Sequence, residues 1–297
     1  MFFEYAIAPD VIANAQDARF LLEACRPWKG RFVAAYPTTW PDMVLQRATD
    51  GERKAVEVRL LAAKNAGTFV RRRTRYDATQ TWLWNAEAEH VRNAFRAIIT
   101  TEDCGSEHVL KASLVDDSQD RWRVDSGRFV DRDPGKLVEA LRLLLGLSSH
   151  VAIVDPHFRA DQPHKTAPLV ALARALRSPT VPLEVHWSDE PDSMPSYAHC
   201  MRHAERVLPD ILPHGVKVTL RCWHERRGGP RIHNRFLVTN IAGVKFGDSI
   251  EEGAVGHQDH LSILDEPSRL AIWDDYVAAP GGFDSGGPPR EFVGRKR

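Results

Sequence analysis

The chain predicts an α/β protein: a layered domain with a mixed sheet, preceded by a mainly helical N-terminal region. Two observations carry the layered domain. The run His150–Asp155, HVAIVD, is a short apolar stretch of strand character. It is followed by a helix over Thr166–Leu176 and a second strand over Pro182–Trp187. Strand, helix, strand in that order calls for a partly parallel sheet, whose central strands read as continuous apolar runs. Further on, Ile232–Thr239 and Val244–Phe246 alternate around the turn Ile241-Ala242-Gly243, which adds an antiparallel hairpin.

The remaining elements follow in order. Asp17–Cys25 is a short amphipathic helix stopped by Arg26-Pro27, and Gly30–Tyr36 is an apolar strand closed by Pro37. Met43–Arg47 and Glu52–Ala66 have helical spacing, and Thr81–Ile99 is expected to be one long helix with Trp82, Ala86, Val91, Phe95 and Ile98 on its apolar stripe. Arg71-Arg72-Arg73 with Arg75 forms a basic run, read as a solvated loop or edge strand, with Tyr76, Trp82 and Trp84 nearby as core aromatics. Val109–Val115 and Arg121–Val130 alternate and are expected to pair as a hairpin. Asp133 and Pro134 fit the cap and first turn of a helix over Gly135–Leu145, with Gly146 fitting its end. Ser196–Leu208 is a helix, Val216–His224 a strand, and Leu261–Leu264 with Leu270–Tyr276 a closing strand and helix. The expected organisation is therefore an N-terminal region at residues 1–104, a domain at 105–278, and a flexible basic tail rich in Gly and Pro at 279–297.

Composition narrows the function classes. Hydrophobic residues make up 43% of the 297, and mean hydropathy is −0.37, ordinary values for a globular protein. Forty basic residues balance forty acidic ones. That speaks against coating nucleic acid by overall charge and leaves only a local patch. Such a patch is present: within Lys217–Arg235, the residues Lys217, Arg221, Arg226, Arg227, Arg231 and Arg235 face one acid, Glu225. Cys25, Cys104, Cys200 and Cys222 share no paired spacing and are expected to be reduced thiols. The N-terminus lacks the features of a signal peptide, and no apolar run reaches membrane-spanning length, so a cytoplasmic protein is expected.

The candidate chemistry centres on His233 and Arg235. Two apart on a strand, they are expected to project to one surface. An imidazole beside a fixed cation suits phosphate-ester chemistry, because the cation holds the phosphoryl oxygens while the imidazole attacks or protonates. Asp155 and His157 sit at the C-terminal end of an apolar strand, where α/β sheets gather site residues, and are supporting candidates. A hydrogen bond from Asp155 to His233 or His157 is expected. Downstream, Glu251, Glu252, His257, Asp259 and His260 cluster, while His199 and His203 share a helix face. Neither group has the spacing of a strong metal motif, so no metal and no cofactor are expected.

The frame His233-Asn234-Arg235, four residues, Asn240, six residues, Gly247 resembles the motif of the phospholipase D superfamily. That motif is His-x-Lys, four residues, Asp, six residues, Gly-Ser-x-x-Asn. The spacings agree, while Arg235 stands for lysine, Asn240 for aspartate, Asp248 for serine and Glu251 for the last asparagine. Over roughly residues 105–278 the chain is similar to divergent phospholipase D-like domains of bacterial multi-gene, defence-type systems. It is also similar to the domain that follows microtubule-interacting-and-transport modules in eukaryotes.

The resemblance implies a layered α-β-α domain and metal-independent phosphodiester hydrolysis, with DNA or RNA as substrate. His233 would be the nucleophile and Arg235 the phosphoryl-binding cation. Asn240 would hold a neighbouring histidine, and Glu251 would add a further catalytic group. Arg231, Arg235, Gly247 and Ser249 would complete the phosphate site. The chain carries one motif where the family's active site takes two, so activity would require a homodimer. Partner proteins encoded nearby would control it. Two alternatives stand beside this reading. One is a degenerate module that binds a protein, a phosphorylated ligand or, less favoured, a membrane surface. The other is a metal-dependent nuclease using the Glu251–His260 cluster.

Overall fold

The computed structural model describes residues 1–102, 104–190, 194–278 and 281–296. The chain divides into two compact units, Met1–Ser126 and Gly127–Arg297. Among the described residues no helix is long and apolar enough to cross a membrane.

The first unit has more helix than strand, as expected, but its strands pair into a sheet that makes it an α/β layer. Its elements are β1 (Phe3–Ile7), α1 (Ala15–Ala24), β2 (Arg31–Ala35), α2 (Trp40–Arg47), α3 (Asp50–Asn65), β3 (Phe69–Arg71), α4 (Trp82–Arg92), β4 (Ala97–Thr100) and β5 (Val109–Lys111). The strands form one parallel sheet in the order β3-β2-β1-β4-β5. Parallel strands covered on both faces lose their alternation, which is why β2 and β4, buried along their whole length, carry no period-2 signal. The long helix expected over Thr81–Ile99 stops at Arg92, and Ala97–Thr100 pairs as a strand beside β1. A four-residue apolar run fits either state by periodicity, and sheet pairing decides it.

Val109–Val115 and Arg121–Val130 do not form a hairpin. The former contains β5, parallel to β4, while Gly127–Asp131 belongs to the second unit. Residues up to 126 stay with the first unit because Trp122, 3% exposed, packs edge-on against Tyr5 and under the Arg31 guanidinium. The unit boundary therefore lies near residue 126, not at 104. The basic run at 71–75 is not wholly solvated either. Arg72 turns inward to pair with Glu4 at 2.8 Å and Glu89 at 2.8 Å, and lies over the Phe95 ring. Trp82 is core, as expected, and Trp84 is half exposed.

The second unit runs β6 (Gly127–Asp131), α5 (Pro134–Leu147), β7 (Val151–Val154), α6 (Pro163–Arg174), β8 (Leu183–Trp187), α7 (Tyr197–Ile211), β9 (Lys217–Glu225), β10 (Arg235–Thr239), β11 (Gly243–Phe246), β12 (Gln258–Ile263), α8 (Glu266–Trp273), β13 (Phe283–Ser285) and β14 (Arg290–Val293). Its sheet is mixed, in the order β13-β9-β8-β7-β10-β11-β12-β6, with β14 also on β9. The neighbours β9, β8 and β7 are parallel, and the rest of the path is antiparallel. Val151–Val154 lies at its centre, each residue 0–3% exposed. Burial of each valine or isoleucine there contributes about 1.5–3 kcal/mol.

Local capping follows the residues. Asp133 accepts from the Lys136 N–H, with Pro134 in the first turn of α5. Gly146 does not end that helix. It runs on to Leu147, and the Ser148 hydroxyl donates to the Leu144 carbonyl. The tail expected to be flexible instead adds β13 and β14 to β9, because its alternating residues Phe283 and Phe292 are buried against the sheet.

Candidate functional site

The strand order fixes what can meet. β7, β8 and β9 all end at one edge, and β10, antiparallel to β7, begins there. The connection from β9 to β10 must therefore cross the C-terminal ends of β8 and β7, a span of about 14 Å at the usual strand spacing. That connection, residues 226–234, carries Arg226, Arg227, Arg231 and His233 over the position where sheets of this kind gather ligand-binding groups. Ile232 anchors it, buried with Val154, Trp223, Tyr276 and Phe283. The Ile232 N–H also donates to the Glu225 carboxylate at 2.8 Å.

His233 lies in this connection and is exposed, two residues before β10 begins. The strand periodicity expected to align it with Arg235 does not reach it. Instead, the Arg235 guanidinium bends back and donates to the His233 carbonyl at 2.9 Å. The Arg235 Nε is buried with no hydrogen-bond partner among the described residues.

Asp155, 1% exposed, follows β7 directly beside the start of β10. Its Oδ1 accepts from the His157 backbone N–H at 3.1 Å, and its Oδ2 is buried and unpartnered among the described residues. The expected bond to an imidazole is not formed. Burial raises the Asp155 carboxyl above its ordinary range, and the charges of Lys165 and Arg235 offset this only in part. His157 is shifted down, first by burial and then by the Arg235 charge.

Three other predicted residues are occupied elsewhere. Asn240 lies at the opposite end of β10 from Arg235, about 17 Å away at the usual rise per residue. Its Oδ1 accepts from the Ser149 N–H at 2.8 Å, so it orients no histidine of this site. Glu251 is held by Lys165 at 3.2 Å and by Arg132. Burial alone would raise it, but those two cations outweigh burial and keep its carboxyl below the usual range. A carboxylate clamped in this way is a structural brace and not a free base. Gly247 has its N–H bonded to the His260 carbonyl, and a Cβ there would come within 2.9 Å of the Asp259 carboxylate. The glycine is explained by that packing, not by a phosphate. Ser249 is half buried and lines a small crevice with Arg132 and Glu251. Asp248 pairs with Arg132 at 3.0 Å.

The basic patch is smaller than the sequence suggests. Lys217 pairs with Glu291, Arg221 with Glu184, and Arg226 with Asp284, all acids from outside the basic segment. Among the described residues, no carboxylate comes within 4.0 Å of the guanidinium of Arg227, Arg231 or Arg235. These three are the uncompensated cations of the edge.

The Glu251–His260 cluster does not converge. Asp259 and His260 are neighbours on β12 and face opposite sides of the sheet. Asp259 turns inward to accept from the Asp248 N–H at 2.9 Å, while His260 packs against Phe129. Sequence reasoning missed Lys165, Arg132, Glu184 and His186. Each has a partner tens of residues away, Glu251 for Lys165 and Arg132, Arg221 for Glu184 and Trp223 for His186, which no local pattern records.

No protein-family model and no curated protein matches the chain. Among solved structures, one similar chain is the archaeal chromatin protein TrmBL2, whose structure is described as showing a novel mode of DNA binding. Identity is 11% and the TM-score 0.29, over 59% of this chain and 58% of that one. A likeness at that level carries no argument about this chain.

Proposed function

We propose that residues 127–297 form a divergent phospholipase D-like domain whose sheet edge binds the phosphodiester backbone of a nucleic acid. The observation that supports this best is the trio Arg227, Arg231 and Arg235, which lacks carboxylate partners among the described residues, the first two on the connection crossing the ends of β8 and β7 and the third opening β10. Folding leaves their positive charge unspent, while every other cation of the basic segment is neutralised. A guanidinium grips phosphate through two parallel hydrogen bonds, and Arg235, already tethered to a backbone carbonyl, needs little further ordering.

A second reading, hydrolysis, draws on one feature. His233 is exposed, and its backbone carbonyl holds the Arg235 guanidinium, so its side chain is accessible to a phosphodiester and to a second copy of the chain. In that reading two copies share one site. One His233 attacks phosphorus, and the other protonates the leaving oxygen.

One experiment separates the two. A labelled 20-mer single strand is incubated with wild type, His233→Ala and Arg235→Ala in EDTA. Binding is read by fluorescence anisotropy and cleavage on a gel. The binding reading expects Arg235→Ala to weaken affinity about tenfold, as loss of a charge-assisted contact would. It expects His233→Ala to bind as wild type does, with no product in any lane. Product in EDTA that disappears with His233→Ala makes the domain a hydrolase. Wild type that neither binds nor cleaves removes both readings.

A further inference from the structure

A second cluster at the same edge is independent of the arginine trio. β8 and β9 run parallel with Trp187 opposite Cys222, so Asp189, two residues beyond Trp187, comes beside His224. Cys222 and His224 are two apart on β9 and share a face. Among the described residues, Asp189, Cys222 and His224 are the group whose ligating atoms, a carboxylate oxygen, a thiol sulfur and a ring nitrogen, all lie within 4.8 Å of one another. His224 Nε2 is 2.6 Å from Asp189 Oδ1, and Cys222 Sγ is 3.5 Å from the same oxygen.

Glycine keeps space at this point. A Cβ on Gly286 would lie 2.7 Å from Cys222 Sγ and 2.8 Å from His224 Nε2. Gly286 is itself pinned by its N–H to the Cys222 carbonyl at 2.9 Å, and its φ lies outside the left-handed region. The residue is therefore a glycine for the room it leaves. The other Asp189 oxygen accepts from the Tyr197 N–H at 2.8 Å, which orients the carboxylate in the way outer groups orient metal ligands.

We infer that Asp189, Cys222 and His224 form a zinc-class metal site with three protein ligands and a fourth position for water. Bonds of about 2.0–2.3 Å to oxygen, nitrogen and sulfur place tetrahedral ligands about 3.3–3.8 Å apart. The sulfur–oxygen separation already meets this, and the nitrogen and oxygen need to part by less than an ångström. Sulfur and imidazole favour zinc over magnesium or calcium. Binding converts the Cys222 thiol to thiolate and releases its proton to solvent. The same trio is not a cysteine nucleophile. Cys222 is 1% exposed, its sulfur faces Asp189, and burial pushes its thiol well above the ordinary range.

The test uses the full chain dialysed against EDTA and then titrated with cobalt(II), followed by competition with zinc. Wild type is expected to give the near-ultraviolet thiolate-to-cobalt band, saturating at one metal per chain, and zinc to abolish it. His224→Ala, at a partly exposed position, is expected to keep the fold by circular dichroism and to weaken metal binding at least about tenfold. Gly286→Ala fills the space with all three ligands intact and is expected to weaken it as well. Absence of the band in wild type overturns the site and leaves a hydrogen-bonded trio only. Equal affinity in wild type and both variants overturns it too.

Discussion

The two ends of β10 make an instructive contrast. At the Thr239 end the polar groups of the strand and its turn are answered. The Thr239 carbonyl accepts from the Arg269 guanidinium at 3.1 Å, and Arg269 grips Glu266 with two bonds of 2.7 and 2.8 Å. The Thr239 hydroxyl serves the turn at Ala242, and Asn240 holds the Ser149 N–H. At the Arg235 end, four residues away, Arg235 Nε and Asp155 Oδ2 are buried without partners among the described residues, and three arginines have no carboxylate within 4.0 Å among them. Buried polar groups left unpaired are costly, and the proposed ligand would satisfy those at the Arg235 end. One end is closed by internal pairing, and the proposed function assigns the other to binding.

Substitutions at the Thr239 end should cost stability and leave binding untouched. Arg269, 5% exposed, is the keystone there. Arg269→Ala strips the Thr239 carbonyl of its donor and Glu266 of its partner, and should lower unfolding free energy by about 2–3 kcal/mol in urea melts. A loss of nucleic-acid affinity matching that of Arg235→Ala would blur the division between the ends.

A pH series sharpens it from the other side. His186, 0% exposed, accepts from the Trp223 indole N–H at 2.9 Å, and burial pulls its pKa below the ordinary 6.5, with Glu184 offsetting only part. Since the folded value lies below the unfolded one, the unfolded chain takes up the proton first as pH falls below about 6.5. Stability should therefore decline across the window just under that pH and level off below the folded value. His186→Gln should remove this component, and an unchanged slope would place the pH sensitivity elsewhere. The smallest effect belongs to Asn240→Ala, about 0.5–1 kcal/mol, because the exposed Ser149 N–H can turn to water.

Much of the second unit was legible from residues alone. The apolar run at β7, the capped start of α5 and the hairpin of β10 and β11 each carry a local signal, and each forms. The first unit was legible only in part. Its buried parallel strands have no alternation, so β4 was absorbed into the helix before it, and β5 into a hairpin that does not exist. The site shows the same division. Arg231, Arg235, His233 and Asp155 were visible as chemistry at a strand end. The neutralisation of Lys217, Arg221 and Arg226 came from Glu291, Glu184 and Asp284. Such pairings are set by sheet order, which a count of local charge does not contain. Asn240 misled for a related reason: a motif gives spacing along the chain, and a strand turns that spacing into distance.

The most direct measurement is the salt dependence of nucleic-acid affinity for wild type and for a variant with Arg227, Arg231 and Arg235 all changed to alanine. If the three uncompensated cations contact phosphates, wild-type affinity falls steeply with salt, and the variant's slope on a double-logarithmic plot is shallower by about two to three. Equal slopes, with both proteins folded, would contradict the account.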